Sequence, residues 1–261
     1  MDISESKVPH WNSRSALLFG NDTLSTLLDK HVLVVGLGGV GSFAAAFLVR
    51  GGIGALTIVD GDTVDTTNRN RQLPALVSTI GKWKTEIMQE RLLDINPDLR
   101  LTVHNTFIMR EIVDEILVPH FDYVVDCIDT LAPKISLLKK AYAKGYPIVS
   151  SMGAGGKTDP TLIDIAEFNK VHHCKLARYL KKKLYRSGIR SGITAVFSPE
   201  EVSEQALQLT ENTLNKRSYY GTVSYIPALF GGHCASVVLR DLMGTIHLKK
   251  PVPILEQHIQ E

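Results

Sequence analysis

Cysteine is scarce in this 261-residue chain. The three that occur, Cys127, Cys174 and Cys234, stand far apart and form no C-x-x-C pair. An odd count at that spacing builds neither a disulfide framework nor a four-cysteine zinc site within one chain, so a reducing, cytoplasmic setting is expected. Net charge is nearly absent as well: 29 basic residues face 27 acidic ones. The average therefore points to no partner, and only the distribution of charge can. The first residues, Met-Asp-Ile-Ser-Glu-Ser-Lys, carry acids and no apolar stretch, which does not read as a secretory signal. Long uncharged runs are also lacking. The longest, Val32 to Val49, holds four glycines between Gly36 and Gly41 and reads as strand, turn and helix, not as a membrane span. With 44% hydrophobic and 21% charged residues, disorder is excluded.

Alternation is what the chain has instead. Apolar, strand-like runs occur at His31 to Val35, Ala55 to Asp60, Leu101 to His104, Tyr123 to Asp126, Pro147 to Ser151 and Leu162 to Ala166. Helical periodicity separates them at Phe43 to Arg50, Lys84 to Leu93 and Ala132 to Lys144. This pattern predicts an α/β fold, a doubly wound, Rossmann-like and mostly parallel sheet. Ser13 to Leu28 reads as an N-terminal helix, Pro199 to Lys216 as a polar excursion or lid, and Ile226 to Met243 as a closing helix.

Gly36, Gly38, Gly39 and Gly41 form a G-x-G-x-x-G turn between a Val-rich strand and an Ala-rich helix. Such glycines let backbone N–H groups at a helix N-terminus approach a phosphate. Asp60 closes the next strand, where a carboxylate can accept hydrogen bonds from ribose hydroxyls. These features fit an adenine nucleotide but do not choose between NAD and ATP. The following charges do. Asp60 and Asp62 lead into Asn68-Arg69-Asn70-Arg71-Gln72, and Lys84 opens the next helix. Two carboxylates with arginines and a lysine near one phosphate site suit a triphosphate with Mg²⁺, whereas hydride transfer has little use for them. A further acid, Asp129 in Asp126-Cys127-Ile128-Asp129, follows the Tyr123 to Asp126 strand, where it can hold the metal or cap the next helix. Cys127 beside it reads as a small buried hydrophobe, not a nucleophile.

Taken together these residues resemble the ubiquitin-activating-enzyme-like (HesA/MoeB/ThiF) superfamily. The resemblance rests on GLGGVGS at Gly36 to Ser42, VDGDTVDTTNRNRQ at Val59 to Gln72, GKWK at Gly81 to Lys84, INP at Ile95 to Pro97 and DCID at Asp126 to Asp129. Within it the chain is similar to the tRNA threonylcarbamoyladenosine dehydratases, through SSMGAGGKTDPT at Ser150 to Thr161 and VFSPE at Val196 to Glu200. The resemblance implies an ATP site built on Asp60, Asn68, Arg71, Lys84 and Asp129. It also implies that Arg14 of the N-terminal helix reaches the nucleotide of a partner subunit, and hence a homodimer. A cysteine desulfurase or sulfur-acceptor system is a further partner that the family sometimes implies. The paired C-x-x-C zinc motifs of sulfur-carrier-activating relatives are missing. Where many dehydratases read roughly H-T-D-P-L-A, this chain has His172-His173-Cys174-Lys175-Leu176-Ala177. The expected division is 1–30 as a helical arm, 31–152 as the ATP-binding region, and 153–261 as a substrate-binding and closing region of the same domain.

The charge is concentrated in one place. Lys170, Lys175, Arg178, Lys181, Lys182, Lys183, Arg186 and Arg190 occur with no intervening acid, which leaves the rest of the chain acidic. Leu176, Leu180 and Leu184 recur at helical spacing, so one face can pack while the cations face solvent, as a footprint for a phosphate backbone requires. Tyr219, Tyr220 and Tyr225 are candidates to stack on an extruded base. The activity that the resemblance implies is ATP-dependent cyclisation of N6-threonylcarbamoyladenosine in tRNA. Catalytic groups would be Arg14, Arg71, Lys84 and Asp129, with Gly153, Gly155, Lys157, Asp159, Lys175, Arg178, Lys181 and Lys182 on the substrate side. No DNA partner is expected. The alternatives are an adenylyltransferase acting on the C-terminal glycine of a ubiquitin-like or sulfur-carrier protein, and an idle tRNA- or protein-binding partner. Sequence leaves open whether AMP or ADP is released.

Overall fold

The computed structural model describes residues 8–213, 216–246, 248 and 251, with the backbone alone at 110, 204, 207–213 and 216–219. Its main sheet has seven strands: β1 (His31–Val35), β2 (Ala55–Asp60), β3 (Arg100–Asn105), β4 (Tyr123–Asp126), β5 (Ile148–Ser151), β6 (Asp164–Glu167) and β7 (Thr194–Phe197). They lie in the order β3-β2-β1-β4-β5-β7-β6, and every pair is parallel except β6 with β7. The chain runs outward from β1 to β3, then returns to lay β4 on the other side of β1. That reversal opens a crevice beyond the carboxyl ends of β1 and β4, where ligands of such sheets bind.

Both sheet faces are covered, which explains the continuous Val, Leu and Ile runs of β1 and β2. Val32 and Val34 pack into one apolar cluster with residues of α3 (Gly41–Arg50), α4 (Lys84–Ile95) and α8 (Tyr225–Leu242). Leu33 and Val35 point the other way, into a second cluster with α5 (Arg110–Ile116), α6 (Leu131–Ala143) and α7 (Lys175–Arg186). A separate hairpin pairs β8 (Leu207–Thr213) with β9 (Lys216–Tyr220). Among the described residues no helix is long and apolar enough to cross a membrane.

Some expectations change. The N-terminal helix is two helices, α1 (Ser13–Phe19) and α2 (Asn21–Leu28), broken at Gly20, whose φ of 85° and ψ of 151° no helical residue adopts. The strand expected from Leu162 begins at Asp164, because Asp159-Pro160 starts a 3-10 turn over Pro160–Leu162. The polar stretch from Pro199 carries β8 of the hairpin, which alternation of side chains did not reveal.

The ends of β4 and β5 are stapled by a buried ion pair. Lys134 Nζ of α6 lies 2.7 Å from Asp126 Oδ2, and neither side chain is exposed. The ammonium also donates to Ile128 O at 3.0 Å and Ser151 O at 2.8 Å, so all of its protons are used. Asp126 in turn accepts from Ser150 Oγ at 2.6 Å and Ile128 N at 3.1 Å. Removing one member of such a pair strands a charge in the core. Lys134→Met is therefore expected to lose about 3–5 kcal/mol of unfolding free energy in urea titration; a value close to the parent's would show that the pair does not hold the strands.

Candidate nucleotide and nucleic-acid site

The glycine turn follows β1 and meets the turn that follows β4. Gly36 has φ +89°, and a Cβ there would stand 2.9 Å from Cys127 O. At Gly41 a Cβ would overlap Gly36 O at 1.7 Å, and at Gly39 it would press on Pro227 Cβ at 2.9 Å. These three glycines are demanded by the fold. Gly38 is different: a Cβ there would find Gln72 Nε2 at 3.8 Å as its nearest neighbour, so no described residue explains the missing side chain. A ligand that approaches the backbone does.

Asp60 is placed to brace this turn. Its Oδ2 accepts from Leu37 N at 2.5 Å and its Oδ1 from Asp62 N at 2.8 Å. Burial raises its carboxyl above the ordinary aspartate range, against the lowering effect of Lys84 and of the two N–H groups. Lys84 is almost wholly buried at the start of α4 and lies 2.9 Å from Asp62 Oδ2. Arg71 Nη1 donates to Thr67 O at 3.0 Å and to Asn70 Oδ1 at 2.9 Å. Asn68 Oδ1 accepts from Asp65 N at 3.2 Å, closing the preceding turn. Asp129 is exposed one residue before Thr130, and Thr130 is the N-cap of α6, so the alternative reading of Asp129 as that cap does not hold. Arg14 is exposed on α1. Cys127 fits its structural reading: a hydrogen bond with Cys234, then burial, holds its thiol well above the ordinary value, the opposite of an activated nucleophile.

Beyond the ends of β5 and β7 lies a cavity of about 690 Å³. Gly153 and Gly155 form one wall, and His172, His173, Lys175 and Arg178 another. Cys174 Sγ accepts from Ala177 N at 3.5 Å as the N-cap of α7, the position where the chain departs from H-T-D-P-L-A. Its neighbour His173 has φ 50° and sits 3.2 Å from Glu201 Oε1.

Several expected substrate residues also hold the surrounding loops, and Lys157 among them lines the cavity. Lys157 is buried and its ammonium donates to Glu200 O. Burial lowers its pKa, opposed by Cys174, Glu200 and Glu201. Asp159 Oδ1 accepts from Thr161 N at 2.8 Å and Thr161 Oγ1 at 2.6 Å, starting the turn at Pro160. Lys181 lines the cavity, but its ammonium binds the carbonyls of Asn169 and Val171. Lys175, Arg178, Lys182 and Arg186 are exposed on the α7 face opposite the buried Ala177, Leu180 and Leu184. Tyr220 lines the cavity and Tyr225 binds Thr158 O at 2.8 Å; the Tyr219 side chain lies outside the described residues.

Sequence reasoning missed Glu200, although it lies within VFSPE. Its carboxylate accepts from Thr158 N at 3.0 Å and 2.9 Å, from Thr158 Oγ1 at 2.8 Å and from Asp159 N at 3.0 Å. Burial alone would raise the Glu200 pKa; these donors and Lys157 reverse the shift and leave it lowered. Lys134 was missed too, because a lysine in a helix reads as solvated unless its partner strand is known.

The glycine geometry separates packing from ligand contact. Gly38→Ala is expected to keep the parent's unfolding free energy to within about 1 kcal/mol while weakening ATP binding in calorimetry by about tenfold or more. Gly41→Ala should lower stability itself, since a backbone carbonyl must move. Equal ATP affinity in Gly38→Ala and parent would remove the argument for a ligand at this turn.

The same organisation recurs in known proteins. The tRNA threonylcarbamoyladenosine dehydratase of Bacillus subtilis (strain 168) is 37% identical over 252 residues, covering 92% of this chain and 98% of that protein. Its namesake from Escherichia coli (strain K12) is 34% identical over 253 residues, covering 89% and 94%. A crystal structure of the E. coli tRNA N6-threonylcarbamoyladenosine dehydratase in complex with ATP superposes with a TM-score of 0.83 at 34% identity, over 94% of this chain and 98% of that one. The model of the ThiF family matches residues 12–257, and the chain belongs to that family.

Proposed function

We propose that the protein is an ATP-dependent tRNA threonylcarbamoyladenosine dehydratase. One observation carries the reading. The glycine turn follows β1, the Asp126 to Asp129 turn follows β4 and the Gly153 loop follows β5, and these strands are adjacent and parallel. All three therefore open on one sheet edge. At roughly 5 Å per strand the glycine turn and the cavity loop are only about 10 Å apart. A nucleotide and a second substrate thus share a cleft, and the N-terminus of the basic helix α7 lies in its wall. Complexes of the E. coli relative with ATP and with AMP support ATP as the activating nucleotide.

A carboxylate resists attack because oxide is a poor leaving group. Transferring AMP or phosphate onto the threonyl carboxylate supplies a better one. The carbamoyl group of the same nucleoside then attacks that carbonyl carbon: one bond closes the ring, the bond to the phosphate oxygen breaks, and water is the net loss. No enzyme nucleophile is needed, in keeping with the raised pKa of the Cys127 thiol. The protein positions the reactants and stabilises charge. Arg71 and Lys84 face the phosphates, and Gly38 admits them to the backbone. Asp129 would be the carboxylate that holds Mg²⁺, and the ion, when bound, would supply screening of the phosphate charge. Among the described residues no three His, Cys, Asp or Glu side chains converge on a metal, so the protein itself would supply few ligands to such an ion. Along α7, Lys175, Arg178, Lys182 and Arg186 form a stripe some 16 Å long for the tRNA backbone.

Arg14 completes the site from a second copy in this reading. It stands one helical turn before Leu17 and Leu18, which are 89% and 75% exposed. A partner covering those leucines would receive the arginine with them. Sedimentation should give a dimer for the parent and a monomer for the double variant Leu17→Glu, Leu18→Glu; an unchanged dimer would place the contact elsewhere.

The reaction is tested with ATP, Mg²⁺ and tRNA bearing threonylcarbamoyladenosine, followed by nucleoside mass spectrometry. The modified nucleoside should lose about one water, and Lys84→Ala or Asp129→Ala should abolish the loss. Pyrophosphate exchange that requires only a carrier protein, with tRNA unchanged, would instead favour protein-tail activation.

A further inference from the structure

Residues 221–224 join β9 to α8, and with the first turn of that helix they form a strap over 221–227 held from both substrate sites. From the cavity side, Gly156 N donates to Gly221 O at 2.7 Å, and the Tyr225 hydroxyl donates to Thr158 O at 2.8 Å. Gly155 allows this approach, since a Cβ there would stand 3.2 Å from Thr222 Oγ1 and 2.8 Å from Tyr220 Cβ. From the nucleotide side, Gly39 lies against Pro227. The remaining link is Asn70, whose Nδ2 donates to Thr222 O at 2.8 Å while its Oδ1 accepts from Arg71 Nη1 at 2.9 Å. The two partners fix the amide's orientation: turned over, it would face a guanidinium with a donor and a carbonyl with an acceptor.

Asn70 has no packing duty. It is exposed, and each of its hydrogen bonds is worth only about 0.5–1.5 kcal/mol to stability. What the bonds do is join an arginine of the phosphate site to the wall of the cavity, through Thr222, Gly221 and Gly156 in turn. Resting on the reading above for the identity of the second substrate, we propose that Asn70 is a positioning residue that couples the two sites. With a triphosphate on Arg71, the guanidinium, the Asn70 amide, the strap and the Gly153 to Asp159 loop are ordered as one unit. The acceptor carboxylate is then held in line only when ATP is in place. The requirement for such coupling is differential: ATP must favour the ordered arrangement over the loose one.

Hydrogen-exchange mass spectrometry with and without saturating ATP tests this on the full chain. In the parent, ATP should slow exchange at the glycine turn and also in peptides covering 153–159 and 221–227. In Asn70→Ala the slowing should persist at the glycine turn and disappear from the other two segments, with Tyr225→Phe reproducing the loss at 153–159. With modified tRNA, Asn70→Ala should leave the KM for ATP within about twofold and lower kcat by about tenfold or more, the signature of misplacement and not of unfolding. Slowing at 153–159 that survives in Asn70→Ala, slowing lost at the glycine turn as well, or none at 153–159 in the parent would each overturn the coupling. A parent that fails to convert tRNA would overturn the proposed reaction instead, while the exchange pattern still decides the role of Asn70.

Discussion

The buried pair between Asp126 and Lys134 sets the geometry on which both sites depend. It joins the ends of β4 and β5 to α6 through bonds to Ile128 O, Ser151 O and Ser150 Oγ. Two loops leave this knot. One presents Cys127 O to Gly36, so the backbone of the glycine turn is shaped against a carbonyl whose position the knot determines. The other begins at Met152 and becomes the cavity wall. An ion pair of this kind adds little net stability over well-packed apolar groups, because desolvation offsets the attraction. Its effect here is to hold two loops at a set spacing, which apolar packing would do less specifically.

The rest of the site follows from that spacing. Asp60 is turned inward by Leu37 N and Asp62 N, so its carboxylate braces the glycine turn. Glu200 performs the matching task at the cavity, where it gathers the N–H groups of Thr158 and Asp159. One carboxylate thus fixes each loop. On α7, Lys175 and Arg178 line the cavity, and Lys182 and Arg186 continue the same exposed face away from it, a distribution that under the proposed function suits a polyanion.

Much of this was legible in the sequence where the information is local. β1, β2 and β4 occupy the residues expected of them, because each is a short run rich in apolar residues and ended by glycine, aspartate or a turn. The glycine turn and the charges after Asp60 were legible for the same reason. Contacts between distant segments were not. Nothing near Lys134 announces Asp126, nothing near Asn70 announces Thr222, and the acidic end of VFSPE gives no hint that Glu200 binds a loop some forty residues earlier. Charge near a glycine loop makes Lys157, Asp159 and Lys181 candidates for substrate contact; the carbonyls and N–H groups they also bond appear only in three dimensions.

The central claim is that ATP is consumed to activate the threonyl carboxylate. Substrate tRNA carrying ¹⁸O in that carboxylate tests it directly, with mass analysis of the phosphorus-containing products after one turnover. The account predicts one labelled oxygen in the released AMP or phosphate, matched to each ring formed. Label recovered only in water, with AMP and phosphate unlabelled, would contradict it.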